Sequence, residues 1–160
     1  PVVYARFGSR DGLVVAAQTE RYNRARYESL RLLKSRLATC STAEEFRRVF
    51  DSFVTRALSA ELEMNRRVRA SVRGSSMGRP DLAASIAAAD RRFAADAAAV
   101  LRPRQQLEWI RPVVDVEVLA FWLNSHMDAR LHLELGPSPV DPATWDAIAR
   151  HAILAATFDD

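Results

Sequence analysis

The chain has 160 residues, enough for one domain with a sizeable core and too few for two large ones. Hydrophobic residues make up 49% of it, glycine occurs only 5 times and β-branched runs are nearly absent, which argues against a sheet and for an all-α fold. The net charge is only +3, no apolar run approaches the ~18 residues of a membrane span, and the lone Cys40 excludes an internal disulfide framework; a cytoplasmic protein with no membrane partner is expected.

At the start of the chain, Val3, Tyr4 and Phe7 fall on one face at helical spacing, and Gly8 is placed to end that short helix in a left-handed conformation. Ser9 then caps a long helix to about Leu37, with Leu13, Ala17, Tyr27, Leu30, Leu33 and Leu37 as a broken apolar stripe among arginines. Ser41 and Glu44 have capping-box spacing and open a helix whose face carries Phe46, Val49, Phe50, Phe53, Val54, Ala57 and Leu58. From Ala60 to about Val72 a helix presents Leu62, Met64, Val68 and Val72 on its apolar side, with Arg66, Arg67, Arg69 and Arg73 elsewhere, until the Gly74–Pro80 stretch breaks it.

Pro80 suits the first turn of the next helix, which runs to about Leu101 with Leu82, Ile86, Ala89, Phe93, Ala97 and Val100 at helical spacing. Pro103 should bend or end it, and Gln105 to Arg111 should add a last helical turn or two. Asp115 is a good N-cap for a strongly apolar helix containing Val118, Leu119, Phe121, Trp122, Leu123, Met127, Leu131 and Leu133. After the Gly136–Pro139 connector, Asp141 and Pro142 open a final helix with Trp145, Ile148, Ala149, Ala152, Ile153 and Phe158.

Catalytic chemistry finds little here. His126, His132 and His151 are the only histidines, no Gly-x-Ser-x-Gly elbow is present, and His126 and His132 are six apart and diverge on a helix. The Gly74–Gly78 stretch lacks the lysine and strand context of a phosphate loop. No enzymatic activity, metal or cofactor is expected. Phe50, Phe53, Met64, Val68, Phe93 and Trp122, from four different helices, provide large adaptable side chains suited to a pocket for a small hydrophobic or aromatic effector, against the plainer reading of each as core. The last two helices carry more apolar surface than one inward stripe requires. Leu119, Leu123, Met127, Leu131, Trp145, Ile148 and Ile153 are therefore expected at a two-fold dimer interface that pairs these helices with their copies.

Charge is uneven. Positions 1–37 hold eight basic against three acidic side chains, whereas the remainder is nearly balanced at fifteen against seventeen, so one end is suited to a polyanion. The run Tyr4-x-x-Phe7-Gly8-Ser9-Arg10-x-Gly12-Leu13 resembles the end of the helix-turn-helix of TetR-family transcriptional regulators. The resemblance implies a TetR-like helical ligand-binding domain preceded by the remnant of a helix-turn-helix, with positions 1–37 as the end of the DNA-binding part plus a connecting helix and positions 38–160 as the ligand-binding and dimerisation domain. It implies DNA as a partner, phosphate contacts from Tyr4, Arg6 and Arg10, dimerisation through the last two long helices, and an effector that alters DNA affinity. It also implies that about forty residues of helix-turn-helix belong ahead of Pro1. A dimeric helical ligand-binding or protein-interaction module without DNA binding is the alternative.

Overall fold

The computed structural model describes residues 7–158, and among these the chain is all-α, without a strand. Six α-helices follow in order: α1 (Arg10–Leu37), α2 (Ala43–Leu58), α3 (Glu63–Ser76), α4 (Pro80–Gln106), α5 (Val116–Ala129) and α6 (Pro142–Thr157), with 3-10 turns at Ala60–Leu62 and Arg130–Leu133. The two long helices, α1 and α4, pack together. The other helices gather around them, α3 against α1, α4 and α5, α5 along α4, and α6 against α2.

Helix starts follow side-chain chemistry closely. Ser9 Oγ accepts from Gly12 N at 2.9 Å, Asp115 Oδ1 from Glu117 N and Val118 N, and Asp141 Oδ2 from Thr144 N at 2.8 Å, each satisfying amides that the first turn leaves unpaired. At α2 the cap lies one residue beyond the expected Ser41/Glu44 box. Thr42 Oγ1 accepts from Glu45 N, and the Glu45 carboxylate reaches back to Ser41 N at 2.7 Å.

Helix ends depart further from expectation. α3 continues through Gly74 to Ser76, and there Ser75 Oγ donates to Ser71 O and Ser76 Oγ to Arg73 O. α4 runs through Pro103 to Gln106; the carbonyl left without an amide donor belongs to Ala99, an exposed residue. The expected helical turns up to Arg111 are replaced by a left-handed stop. Glu108, at φ +60°, allows Trp109 N to reach Arg104 O and Glu108 N to reach Gln105 O, both at 2.9 Å. Gln105 Nε2 then holds the Arg111 and Val114 carbonyls, and Ile110 drops fully into the core.

The main core joins Leu33 and Leu37 of α1 to Phe46, Phe50 and Val54 of α2, Leu101 of α4, Leu119 and Leu123 of α5, and Ile153 and Phe158 at the end of the chain. Residues on both sides of position 37 thus share one core. A second cluster, Tyr22, Val72, Leu82 and Ile86, lies toward the N-terminal half of α1, and Leu30, Ala97 and Ala120 form a third between them.

Candidate functional site

Two places carry chemistry beyond packing. The first is the junction ahead of α1. Gly8 has φ +70°, the left-handed conformation expected of it, and extended Ser9 follows as N-cap. A Cβ placed on Gly12 would lie 2.1 Å from the Phe7 carbonyl oxygen, so the crossing chain excludes any side chain there. Arg10 is exposed at this end, and Asp11 beside it lies 4.0 Å from Arg79. Tyr4 and Arg6 lie outside the described residues.

The second is a cavity of about 70 Å³ lined by residues of α1 to α5. Its apolar wall comes from Leu30 and Leu33, Phe50 and Phe53, Phe93 and Leu101, with Leu123 and Met127 of α5 completing it. The lining also includes polar residues, Arg26 and Ser29 of α1, Asn65, Arg66 and Arg69 of α3, and Asn124 of α5. No carboxylate lines it.

Three arginines this deeply buried require compensation, because an unpaired buried charge is strongly unfavourable. Each finds it behind the wall. Arg26 Nη1 donates to Asp90 Oδ1 at 2.6 Å, and its guanidinium carbon lies 4.4 Å from the Tyr22 ring and 4.7 Å from that of Phe93. Arg66 grips Glu134 with two donors and also bonds the carbonyls of Ala57 at 2.9 Å and Ser59 at 2.7 Å, closing the end of α2. Arg69 places Nε and Nη2 on Asp128 Oδ1. Asp90 also accepts from Tyr22 Oη at 2.9 Å and Arg73 Nη2 at 3.1 Å. Burial, and then the charge of Asp90, push the Tyr22 phenol well above the ordinary tyrosine range.

Of the residues expected at an effector pocket, Phe50, Phe53 and Phe93 line this cavity. Met64 does not; it is 67% exposed, while Val68 is half-buried outside the lining and Trp122 packs on the core edge with its ring 4.1 Å from that of His126. The reason is the rotation of α3. Hydropathy puts Met64 and Val68 inward, but Arg66 and Arg69 point in to reach the carboxylates, and only Val72 of the expected apolar side is deeply buried within α3.

The expected dimer residues separate in the same way. Leu119, Leu123 and Ile153, the last with 0% exposure, are consumed by the protomer's own core, and Met127 lines the cavity. Leu131 and Trp145 are half-buried. Only Ile148, at 66%, stands free. The exposed apolar side chains on α5 are instead Val118 and Phe121.

Sequence reading missed the polar part of the lining. Its signals were Asp90 on an otherwise apolar helix face and the Arg66/Arg69/Arg73 spacing, which repeats as a buried stripe does. No family model matches the chain, and no curated protein and no solved structure is detectably similar to it. By class it is an all-α helical protein with a mostly apolar cavity among its helices whose lining includes arginine and asparagine. Among the described residues, no helix is long and apolar enough to cross a membrane.

Proposed function

We propose that this chain is the effector-binding and dimerising part of a TetR-like DNA-binding transcriptional regulator. The observation that carries the proposal is the continuity of α1. One uninterrupted helix leads from the Gly8–Ser9 junction, where the regulator-like motif sits, to Arg26, Ser29, Leu30 and Leu33 on the cavity wall. Ser9 and Arg26 are about 25 Å apart along that helix. A ligand that tilts α1 at the cavity therefore moves its far end, and a preference of about 1–3 kcal/mol between two tilts changes DNA affinity about five- to 150-fold.

Pairing would use the exposed apolar side chains of α5 and α6, Val118 and Phe121 on the one and Ile148, Ala152 and Ala155 on the other. Two heads on a two-fold axis then meet successive major grooves. The test is the reading frame ahead of the Pro1 codon, followed by footprinting of the protein it encodes on DNA from the same locus. An in-frame helix-turn-helix and a protected, two-fold symmetric site support the proposal. A stop codon directly upstream, or absence of protection at low salt, overturns it in favour of a ligand-binding module without DNA binding.

A further inference from the structure

Asn124 is 8% exposed, faces the cavity, and its side-chain amide forms no hydrogen bond with any described residue. Asn65, on the same wall, likewise forms none, and Arg69 commits Nε and Nη2 to Asp128 while Nη1 bonds nothing. Buried Asn124, half-buried Asn65 and the spare Arg69 nitrogen thus give an otherwise apolar lining three polar groups that no other side chain or carbonyl engages, open to a ligand's hydrogen bonds. With no carboxylate on the lining, an amine entering here meets guanidinium and nothing to neutralise it. A purely apolar guest leaves Asn124 unsatisfied. A free inorganic anion fits the donors but not the Leu, Phe and Met of the lining.

From this we infer that the cavity takes a compact monocarboxylic acid with an aromatic or branched aliphatic body. The carboxylate sits against Asn124, Asn65 and Arg69, and the body against Phe50, Phe53 and Phe93. The inference rests on the effector reading above and names its ligand class. Size sets an upper limit. The cavity, about 70 Å³, is smaller than the about 150 Å³ that holds benzene, so the guest must displace side chains. Phe53 and Leu62 also line a second space of about 30 Å³, which makes them the side chains a larger guest would have to move.

The experiment is calorimetric titration of the 160-residue chain near neutral pH with benzoate, 3-methylbutanoate, benzamide, benzylamine and toluene. One of the two acids is expected to bind about tenfold or more tightly than benzamide, as a hydrogen-bonded charge requires, with benzylamine not binding. Asn124→Leu should weaken that acid about tenfold while retaining the melting temperature, since no hydrogen bond within the protein is lost. The near-isosteric Asn124→Asp should abolish acid binding and admit benzylamine. Equal binding of toluene, benzamide and the acids overturns the acid class but leaves the effector pocket standing. No binding by any of the five probes overturns both.

Discussion

Arg66 and Glu134 form a two-pronged ion pair between α3 and the turn after α5, with side chains only 1% and 4% exposed. Arg130 donates to the same carboxylate at 2.8 Å and is itself held by Asp146, so cations and anions alternate along a buried chain. Glu134→Ala is expected to destabilise by about 3–5 kcal/mol, because it strands Arg66 and deprives Arg130 of a partner. Arg66→Met should be comparably harmful, since the Ala57 and Ser59 carbonyls lose their donor as well. The double variant should cost clearly less than the sum. Urea unfolding of the three proteins measures this; strict additivity would show that the pair is not coupled.

Tyr22 gives the fold an alkaline limit. Its phenol donates to Asp90 at 2.9 Å, and its pKa is raised by burial and then by that carboxylate. A raised folded-state pKa contributes stability that is fully present below the ordinary tyrosine value of about 10 and is lost as pH rises through the folded value. Tyr22→Phe should cost about 1.5–3 kcal/mol near neutral pH, the worth of a hydrogen bond to a charged group. It should also flatten the fall in melting temperature above about pH 10. A variant with an unchanged alkaline slope would place the titration elsewhere.

Helix number, order and starts were legible because caps are local: Ser9, Asp115 and Asp141 bond amides two or three residues away. The rotation of α3 was not. Arg66 and Arg69 turn inward for Glu134 and Asp128, partners about sixty residues downstream whose proximity depends on how the helices pack. The burial of three expected dimer residues, Leu119, Leu123 and Ile153, has a related reason. α2 packs on Ile153, and the main core shared with α1 and α4 takes Leu119 and Leu123. The large apolar side chains left exposed on these two helices are Val118, Phe121 and Ile148, which periodicity alone does not separate from the buried ones.

The α4 stop can be improved. Glu108 is exposed and holds φ +60°, a conformation that disfavours a residue with a Cβ. Glu108→Gly should raise stability by about 0.5–1 kcal/mol, visible as a higher melting temperature, because relief of the left-handed penalty outweighs the added freedom of the unfolded chain. A loss of stability would show that the Glu108 side chain contributes a contact in solution.

Oligomeric state separates the proposed pairing face from the core. Phe121→Glu combined with Ile148→Glu should convert a dimer to a monomer in light scattering, with protomer stability shifting by no more than about 0.5 kcal/mol per site. Leu119→Ala should do the reverse, costing about 2–5 kcal/mol of protomer stability through a cavity in the core and leaving the association intact until the fold fails. A wild-type chain that is monomeric at high concentration would remove the pairing face from the proposal.

Gly12 provides a test of the junction in which two physical effects predict opposite signs. It lies in the first turn of α1, where helix propensity alone makes Gly12→Ala stabilising by about 1 kcal/mol. The space is already occupied: the new Cβ would lie 2.1 Å from the Phe7 carbonyl oxygen, a backbone atom that cannot swing aside as a side-chain tip does. Either the 7–9 crossing shifts or the first turn opens, and in both cases the Gly12–Ser9 and Leu13–Ser9 hydrogen bonds are the first lost. Gly12→Ala is therefore expected to destabilise by about 1 kcal/mol, the worth of the cap, with amide exchange accelerating at positions 12 and 13 and unchanged around Leu33 and Phe50. Ser9→Ala should reproduce the exchange pattern without the steric cause. A stabilised Gly12→Ala protein would mean that the chain does not cross over α1 at Phe7, and the Gly8–Ser9 turn could then no longer serve as a fixed lever between a DNA-facing end and the cavity.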